Sequence, residues 1–342
     1  MGLTRRGMIA GGSAAVSSLV APSTVLSQSA RSLSVSLLGY ALGIHVPTTA
    51  AVMDLLPGVP GYAAPKAARL DQMRTVAQTV ISGAAELGES DPIVSISAVE
   101  AGADLKIVGL WYAQTSLVLV VQSDRIKEYT DLVNPANVVA VNERGDITHV
   151  AFLGPLLRAG IDINKINLVD IGGSGARMRA LMSGRVQAVP MHFDQAAEVT
   201  KTGKFHVLIE PYKEYRAWIN EVWITTSAWL RKKENERALV DLLKVNLTAF
   251  RRADTDLGWF SDAYRRHATV PDVAKVSDES IRPLWDGLAH LVKAWPANGG
   301  LDAADIEELI PLYKAAGAVQ GKLKASSLVV TDYLHQAVSE LG

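Results

Sequence analysis

The chain has 342 residues, 49% of them apolar and 20% charged, enough to bury a large core in one large or two smaller domains and too apolar for intrinsic disorder. Its 34 basic and 35 acidic residues leave a formal net charge of -1, so no global field draws nucleic acid or an anionic membrane surface. Cysteine is absent, which excludes disulfides, thiolate nucleophiles and cysteine-ligated zinc or iron–sulfur sites, and makes an oxidising compartment harmless to the chain.

The first residues have the pattern of a targeting segment. Arg5 and Arg6 precede an uncharged small and apolar run at 8–20, Pro22 follows, and Ser27, Ser29 and Ala30 suit a cleavage point, so residues 1–30 are expected to be a signal peptide. The run is shorter than the roughly 20 residues of a spanning helix. With no cysteine to carry a lipid either, the expected product is exported, soluble and periplasmic, without a stable membrane anchor. Thr4-Arg5-Arg6-Gly7-Met8-Ile9 resembles the twin-arginine export signal, but paired arginines also occur in ordinary secretory leaders, and both routes stay open.

After the leader, short apolar runs predict strands at 33–38, 105–108, 117–121, 138–141, 166–171, 186–189, 206–209 and 222–225. Helical-period segments separate them, the pattern of an α/β chain with a largely parallel sheet. Val150, Phe152, Leu153, Leu156 and Leu157 predict a helix over 148–159 ending at Gly160, and a smaller one is expected over 176–182 before Gly184. From about Ser227 the strand signal fades and amphipathic helices take over. Ser227 is expected to cap a helix through Leu239, Leu242, Leu243, Leu247 and Phe250. Asp302, with Asp305 three residues on, opens another through Ile306, Leu309, Ile310 and Tyr313 to Gly317, and Pro311 inside it predicts a kink or an interruption. No internal repeat or low-complexity linker is present, so two lobes would be interleaved rather than strung on a tether.

In open α/β sheets, ligands collect beyond the carboxyl ends of the strands, where the following helices aim their N-termini. After 138–141 that rule selects Arg144 and Thr148, suited to a carboxylate or sulfonate; after 166–171 it selects the 172–175 turn, with Gly173 and Ser174 as an anion nest. After 186–189 it selects His192, with Phe193 beside it, to flank an organic body. Tyr40, Glu89 and Ser90 complete the set from the first half of the chain. Each has a plainer alternative: a tight strand-to-helix turn for the glycines, pairing of Arg144 with Glu143 or Asp146 on a solvated turn, a core role for His192, and packing for Trp111, Tyr112, Trp218 and Trp223.

Catalysis is not expected. Gly172-Gly-Ser-Gly-Ala176 approaches the G-x-S-x-G nucleophile elbow, but a hydrolase also needs an acid and a downstream histidine, and His267, His290 and His335 all fall in the helical tail. The seven histidines show no short metal-ligand spacing, so neither a metal nor a cofactor is expected.

The order of several segments resembles a known family. These are 81–88, 98–108, 117–132, the run Asp170-Ile-Gly-Gly-Ser-Gly-Ala-Arg-Met-Arg-Ala-Leu-Met-Ser-Gly-Arg-Val-Gln-Ala-Val189, then 295–301, 312–317 and 332–335. Together they are similar to the periplasmic solute-binding proteins of ABC importers, in the NMT1/THI5-like group named for nitrate, sulfonate, taurine and thiamine-precursor binding. One departure is that Gly39-Tyr40 leads into a proline-containing stretch at 41–60 without the family's glycine-aromatic signature. The resemblance implies a type II periplasmic binding protein fold: two α/β lobes joined by two hinge crossings, with a helical C-terminal tail. Lobe one would hold 31–118 and 222–342, and lobe two 119–221. It further implies a monomer that captures a small organic solute in the cleft and passes it to the membrane permease. Delivery to a receptor, as a sensor, would use the same hinge and cleft. An anionic solute is favoured, because helix starts and Arg144 suit one.

Overall fold

The computed structural model describes residues 30–342. The leader expected over 1–30 therefore lies, apart from Ala30, outside the described residues. Ten strands follow in chain order: β1 Ser34–Leu38, β2 Lys66–Leu70, β3 Leu87–Ser90, β4 Lys106–Tyr112, β5 Leu117–Gln122, β6 Val138–Val141, β7 Asn167–Asp170, β8 Ala188–His192, β9 Phe205–Ile209 and β10 Glu221–Thr225. They form two five-stranded sheets, ordered β2-β1-β3-β10-β4 and β7-β6-β8-β5-β9. The chain passes from the first sheet to the second between β4 and β5, and returns between β9 and β10.

Each sheet is evenly mixed rather than largely parallel, with two parallel and two antiparallel pairings. β1 pairs parallel to β2 and β3, and β6 parallel to β7 and β8. The strand that arrives from the other sheet runs against its neighbours: β10 is antiparallel to β3 and β4, and β5 to β8 and β9. A strand reached by a short crossing enters from the edge facing the other sheet, which reverses its direction relative to strands threaded by helical crossovers. As a result, the carboxyl ends of the parallel strands and the starts of β5 and β10 share the edges at which the sheets meet.

Both sheets are clad by helices, as their apolar strands require. In β5, Leu119 and Val121 join one buried cluster, with Val139, Phe152 and Leu153, while Val118 and Val120 join another, with Leu181, Val189 and Met191. That is the two-residue alternation of a strand buried on both faces. Over the first sheet lies the helix Lys233–Thr255, burying Leu239, Leu242, Leu243, Leu247 and Phe250. At about 1.5–3 kcal/mol per buried large apolar side chain, that stripe alone contributes on the order of 10 kcal/mol before chain entropy opposes it. The fit is close at Gly109 of β4, where a Cβ would lie 2.6 Å from a Leu243 methyl.

Three local expectations need correction. The 148–159 segment forms two short helices, Ile147–Val150 and Leu153–Arg158. Pro155 has no N–H to give the carbonyl of Ala151, so the ladder breaks there. The helix expected from Ser227 is also divided. Thr226, not Ser227, caps the short helix Ser227–Leu230 by accepting from the Trp229 N–H, and the long helix then starts at Lys233. Helix Ala303–Ala315 runs through Pro311 without interruption, with Asp302 accepting from the Ala304 N–H at its cap. Asp305 does not close a capping box; it is buried and pairs with Arg216. Among the described residues, no helix is long and apolar enough to cross a membrane.

Candidate functional site

The facing edges of the two sheets enclose a polar recess. On the first sheet, Tyr40 follows β1, Ser90 and Asp91 end and follow β3, Tyr112 ends β4, and Glu221 starts β10 opposite Tyr112. On the second, Ser116 precedes β5 and His192 ends β8 in register with Leu117. Tyr40 is 44% exposed, yet burial first and the charges of Glu221, Glu89, Asp91 and Asp146 next push its hydroxyl far above the usual range. Water reaches this side chain while protein surrounds it, as expected of a residue lining a cleft. The walls touch beyond the recess. The Phe193 ring lies so close to Gly287 that a Cβ there would be 2.4 Å from it, and a Cβ on Gly145 would meet Ala318 at 3.6 Å.

The first-sheet wall is a buried network. His45 Nε2 lies 3.2 Å from Oε1 and 3.1 Å from Oε2 of Glu221. Its Nδ1 accepts the Leu42 N–H at 3.0 Å, so Nε2 carries the proton and donates to Glu221. The rings of Tyr40 and Tyr112 stand edge-on to that imidazole, at 5.7 and 5.5 Å. Asn220 donates to the Tyr112 hydroxyl at 2.7 Å. Glu89 takes the Leu38 N–H on Oε2 at 2.7 Å, and its buried carboxyl also hydrogen-bonds Glu221.

Two carboxylates this close and this dry cannot both ionise cheaply. Burial, then the neighbouring Glu221, pushes the Glu89 carboxyl well above its ordinary range. Burial would raise Glu221 as well, but His45, followed by hydrogen bonding from Glu89 and Tyr112, holds it below its ordinary value. Asp91 is pushed up to about 7 by burial, with Glu221 and Asp146 adding to the effect, although it caps the helix Pro92–Glu100 by accepting from the Val94 N–H.

The second-sheet wall is held mainly by backbone. Asp146 caps Ile147–Val150, accepting from the N–H groups of Thr148 and His149. Arg177, 3% exposed, donates to the carbonyls of Pro190, at 3.2 Å, and Gly172. His192 Nδ1 lies 2.6 Å from Ser116 Oγ. Burial pushes its imidazole down to about 4, helped by His45 and Arg177 and opposed by Asp194, so it is neutral near pH 7.

Of the sequence candidates, Ser90 is fully buried, its hydroxyl 3.5 Å from the Asp91 carbonyl and 3.4 Å from Ser95 Oγ, while Tyr40, Glu89 and His192 come together around this recess. Thr148 sits behind it, its hydroxyl committed to Asp146 Oδ1 at 2.6 Å and to the Asn142 N–H at 2.9 Å. Arg144 is not brought in. It is exposed, donates to the Leu168 carbonyl and lies 3.7 Å from Asp170, pairing there rather than with Glu143 or Asp146. Gly172 turns with φ +76° and Gly173 caps Ser174–Met182. Ser174 donates to Gln195 and makes no contact with a histidine. His45, Asp91, Arg177 and Glu221 were not anticipated. A signal for Glu221 existed in the sequence, since it opens a run, Glu221-Val-Trp-Ile-Thr225, that is otherwise free of charge.

By residue type, His45, Glu89 and Glu221 could hold a metal ion, since one ligand atom from each lies within 4.8 Å of the others. The hydrogen bonding opposes it. With Nδ1 accepting from Leu42, a metal on Nε2 would require an imidazolate, whereas metal-bound histidines ordinarily donate their second N–H to an acceptor.

A family model described as NMT1/THI5 like matches residues 71–250. No curated protein matches the chain. Solved structures do. The periplasmic sulfonate-binding protein SsuA from Methylobacillus flagellatus KT superposes with a TM-score of 0.69 at 14% identity, over 92% of this chain and 96% of that one. The periplasmic nitrate-binding protein NrtA from Synechocystis PCC 6803 gives 0.68 at 10% identity, over 91% and 89%. The ligand binding component of an ABC-type import system from Staphylococcus aureus, with zinc bound, gives 0.67 at 12%, over 90% and 99%. At these identities the likeness is one of fold, and the fold is the periplasmic binding protein fold that the order of sequence segments implied.

Proposed function

Because the chain belongs to the NMT1/THI5-like family, we propose that it is a substrate-binding protein that captures a small organic solute and delivers it to the permease of an ABC importer. The observation that carries this is the meeting of two separate sheets: the His45–Glu221 pair stands at the edge of the first and the Ser116–His192 pair at the edge of the second, and the Phe193 ring packs against Gly287 between them. Lobe one comprises 31–112 and 221–342 and lobe two 117–209, boundaries moved from the expected 118/119 and 221/222 so that β5 and β10 each stay whole. The crossings at 113–116 and 210–220 form the hinge, tied to each other by the Gln114 amide donating to the Tyr215 carbonyl at 3.1 Å. The solved neighbours described as sulfonate-binding, nitrate-binding and import components support the transport role. Export to the periplasm follows from the leader pattern at 1–30, and the protein works there as a monomer. Two or three charge-assisted hydrogen bonds of about 1.5–3 kcal/mol each, with an apolar body, give about -8 kcal/mol and micromolar affinity after ordering costs.

Binding without catalysis fits the site better than hydrolysis. Ser174 is engaged with Gln195, and the Ser116–His192 contact joins a hydroxyl to an imidazole whose proton affinity, down at about 4, is too weak to activate it near neutral pH. A thermal-shift screen of small organic solutes tests the proposal. A ligand at a hundredfold its dissociation constant adds about 2.7 kcal/mol of stability, and His192→Ala should abolish the shift. If no solute shifts the folded chain, the proposal fails.

A further inference from the structure

Phe193 directly follows His192 and opens the lobe-two helix Phe193–Thr200, where it packs against the cluster of Val118, Leu181 and Met191. The same side chain also packs against the large apolar cluster of lobe one. Its ring reaches Gly287, where a Cβ would lie 2.4 Å from Cε2 and 2.5 Å from Cζ. Carbon atoms meet at about 3.5–4.0 Å, so the ring fills the space that any side chain at 287 would need. The glycine is not there for its backbone. Gly287 has φ -63° and ψ -46°, ordinary helical values at which alanine is the better helix former.

The notch is cut in a fixed support. It stands where the α-helix Asp278–Asp286 passes into the π-helical segment Gly287–Val292, a departure from regular helix that recurs at functional positions. Trp285 Nε1 donates to the Ala253 carbonyl at 2.6 Å, and Leu284 and Leu288 close over Gly43, where a Cβ would be 2.8 and 3.2 Å from their methyls. On the other side, the Phe193 N–H donates to the Ser116 carbonyl at 2.9 Å, which pins the residue to the first hinge crossing. Asp194, next in the chain, adds to burial in raising the Tyr264 hydroxyl, so the same turn meets lobe one at a second helix, Leu257–His267. A displacement this near the pivot turns the lobes through a larger angle than the same displacement at the cleft mouth. Resting on the two-lobed solute capture proposed above, we infer that Phe193 is a positioning residue rather than a solute contact: a plug seated in the Gly287 notch that sets how far the lobes close and, through its neighbour, where His192 stands. Gly287 is a glycine to admit that plug.

The chain has no cysteine, so Ile81→Cys in lobe one and Met182→Cys in lobe two, both exposed, carry the only two spin labels, and pulsed electron resonance reads the lobe separation without any solute. Gly287→Ala should shift the label distance to longer values, while circular dichroism stays that of the folded chain. In a Phe193→Ala background the same Gly287→Ala should give no shift, because the methyl then takes the space of the absent ring. If Gly287→Ala folds poorly, Phe193→Trp, which overfills the notch from lobe two, should produce the shift instead. A Gly287→Ala shift of equal size with and without the ring, or no shift from either variant, overturns the inference and leaves solute capture standing. No hit in the thermal-shift screen, with the ring-dependent shift intact, overturns solute capture alone.

Discussion

The two walls of the recess are built on different principles. The first-sheet wall is a set of mutually dependent side chains: His45, Glu89, Tyr112 and Glu221 are nearly inaccessible, and the first and last of them are 176 residues apart. The second-sheet wall is local. Asp146 caps the turn it sits on, Thr148 locks that turn, and Arg177 binds carbonyls five and thirteen residues away. A buried charge network is fixed by the whole fold, whereas capped turns are self-sufficient.

The sharpest way to break that contrast is Glu221→Ala. Removing this carboxylate leaves the His45 N–H without its acceptor and deprives Glu89 and Tyr112 of theirs, inside a sheet flanked on both sides. We expect a loss of about 3–5 kcal/mol in denaturant unfolding, the cost of stripping one partner from a buried pair. A loss near 0.5 kcal/mol would mean the network is incidental packing.

The same contrast explains what the sequence revealed. The strands at 117–121 and 138–141 were legible because their apolar, β-branched runs are buried by helices on both faces, whereas 206–209 is a half-buried edge that its short apolar run still marks. β2, with the sequence Lys-Ala-Ala-Arg-Leu, is an exposed edge, and no apolar alternation marks it. β3 carries Gly88 and Glu89, and its identity as a strand depends on β1 and β10 flanking it. At the meeting edges, rules about strand ends and helix starts led to Tyr40, Glu89 and His192, and to Ser90 and Thr148, which lie buried behind them. They also selected Arg144, because a charged residue on a turn looks the same in sequence whether it faces a cleft or solvent. His45 and Glu221 gain their meaning from a contact that no local window contains.

A pH-dependent effect of intermediate size separates the walls next. Asp91 rises from an ordinary 3.8 to about 7 in the folded chain. Its folded form therefore holds a proton that the unfolded chain has released. That contribution to stability is complete below pH 3.8, shrinks as pH rises, and is gone above about 7. An asparagine at this position never ionises and can still cap, so it avoids the loss. Asp91→Asn should therefore gain on the wild type between pH 4 and pH 8, by on the order of 4 kcal/mol in urea unfolding. A difference between the two proteins that stays constant over that range would show that Asp91 ionises freely and that the first-sheet wall is wetter than its burial indicates.

The smallest effect belongs to Arg144, the sequence candidate farthest from the acidic recess in character. Its guanidinium is largely exposed and its ion pair with Asp170 is long and solvated. Such pairs contribute about 0–1 kcal/mol. Arg144→Ala should leave unfolding within about 0.5 kcal/mol of the wild type and leave solute affinity unchanged within roughly twofold, since its charge is exposed and already paired with Asp170. If affinity for a charged solute instead changes well beyond twofold, the Arg144 charge reaches the guest, and the second-sheet wall takes part in charge selection.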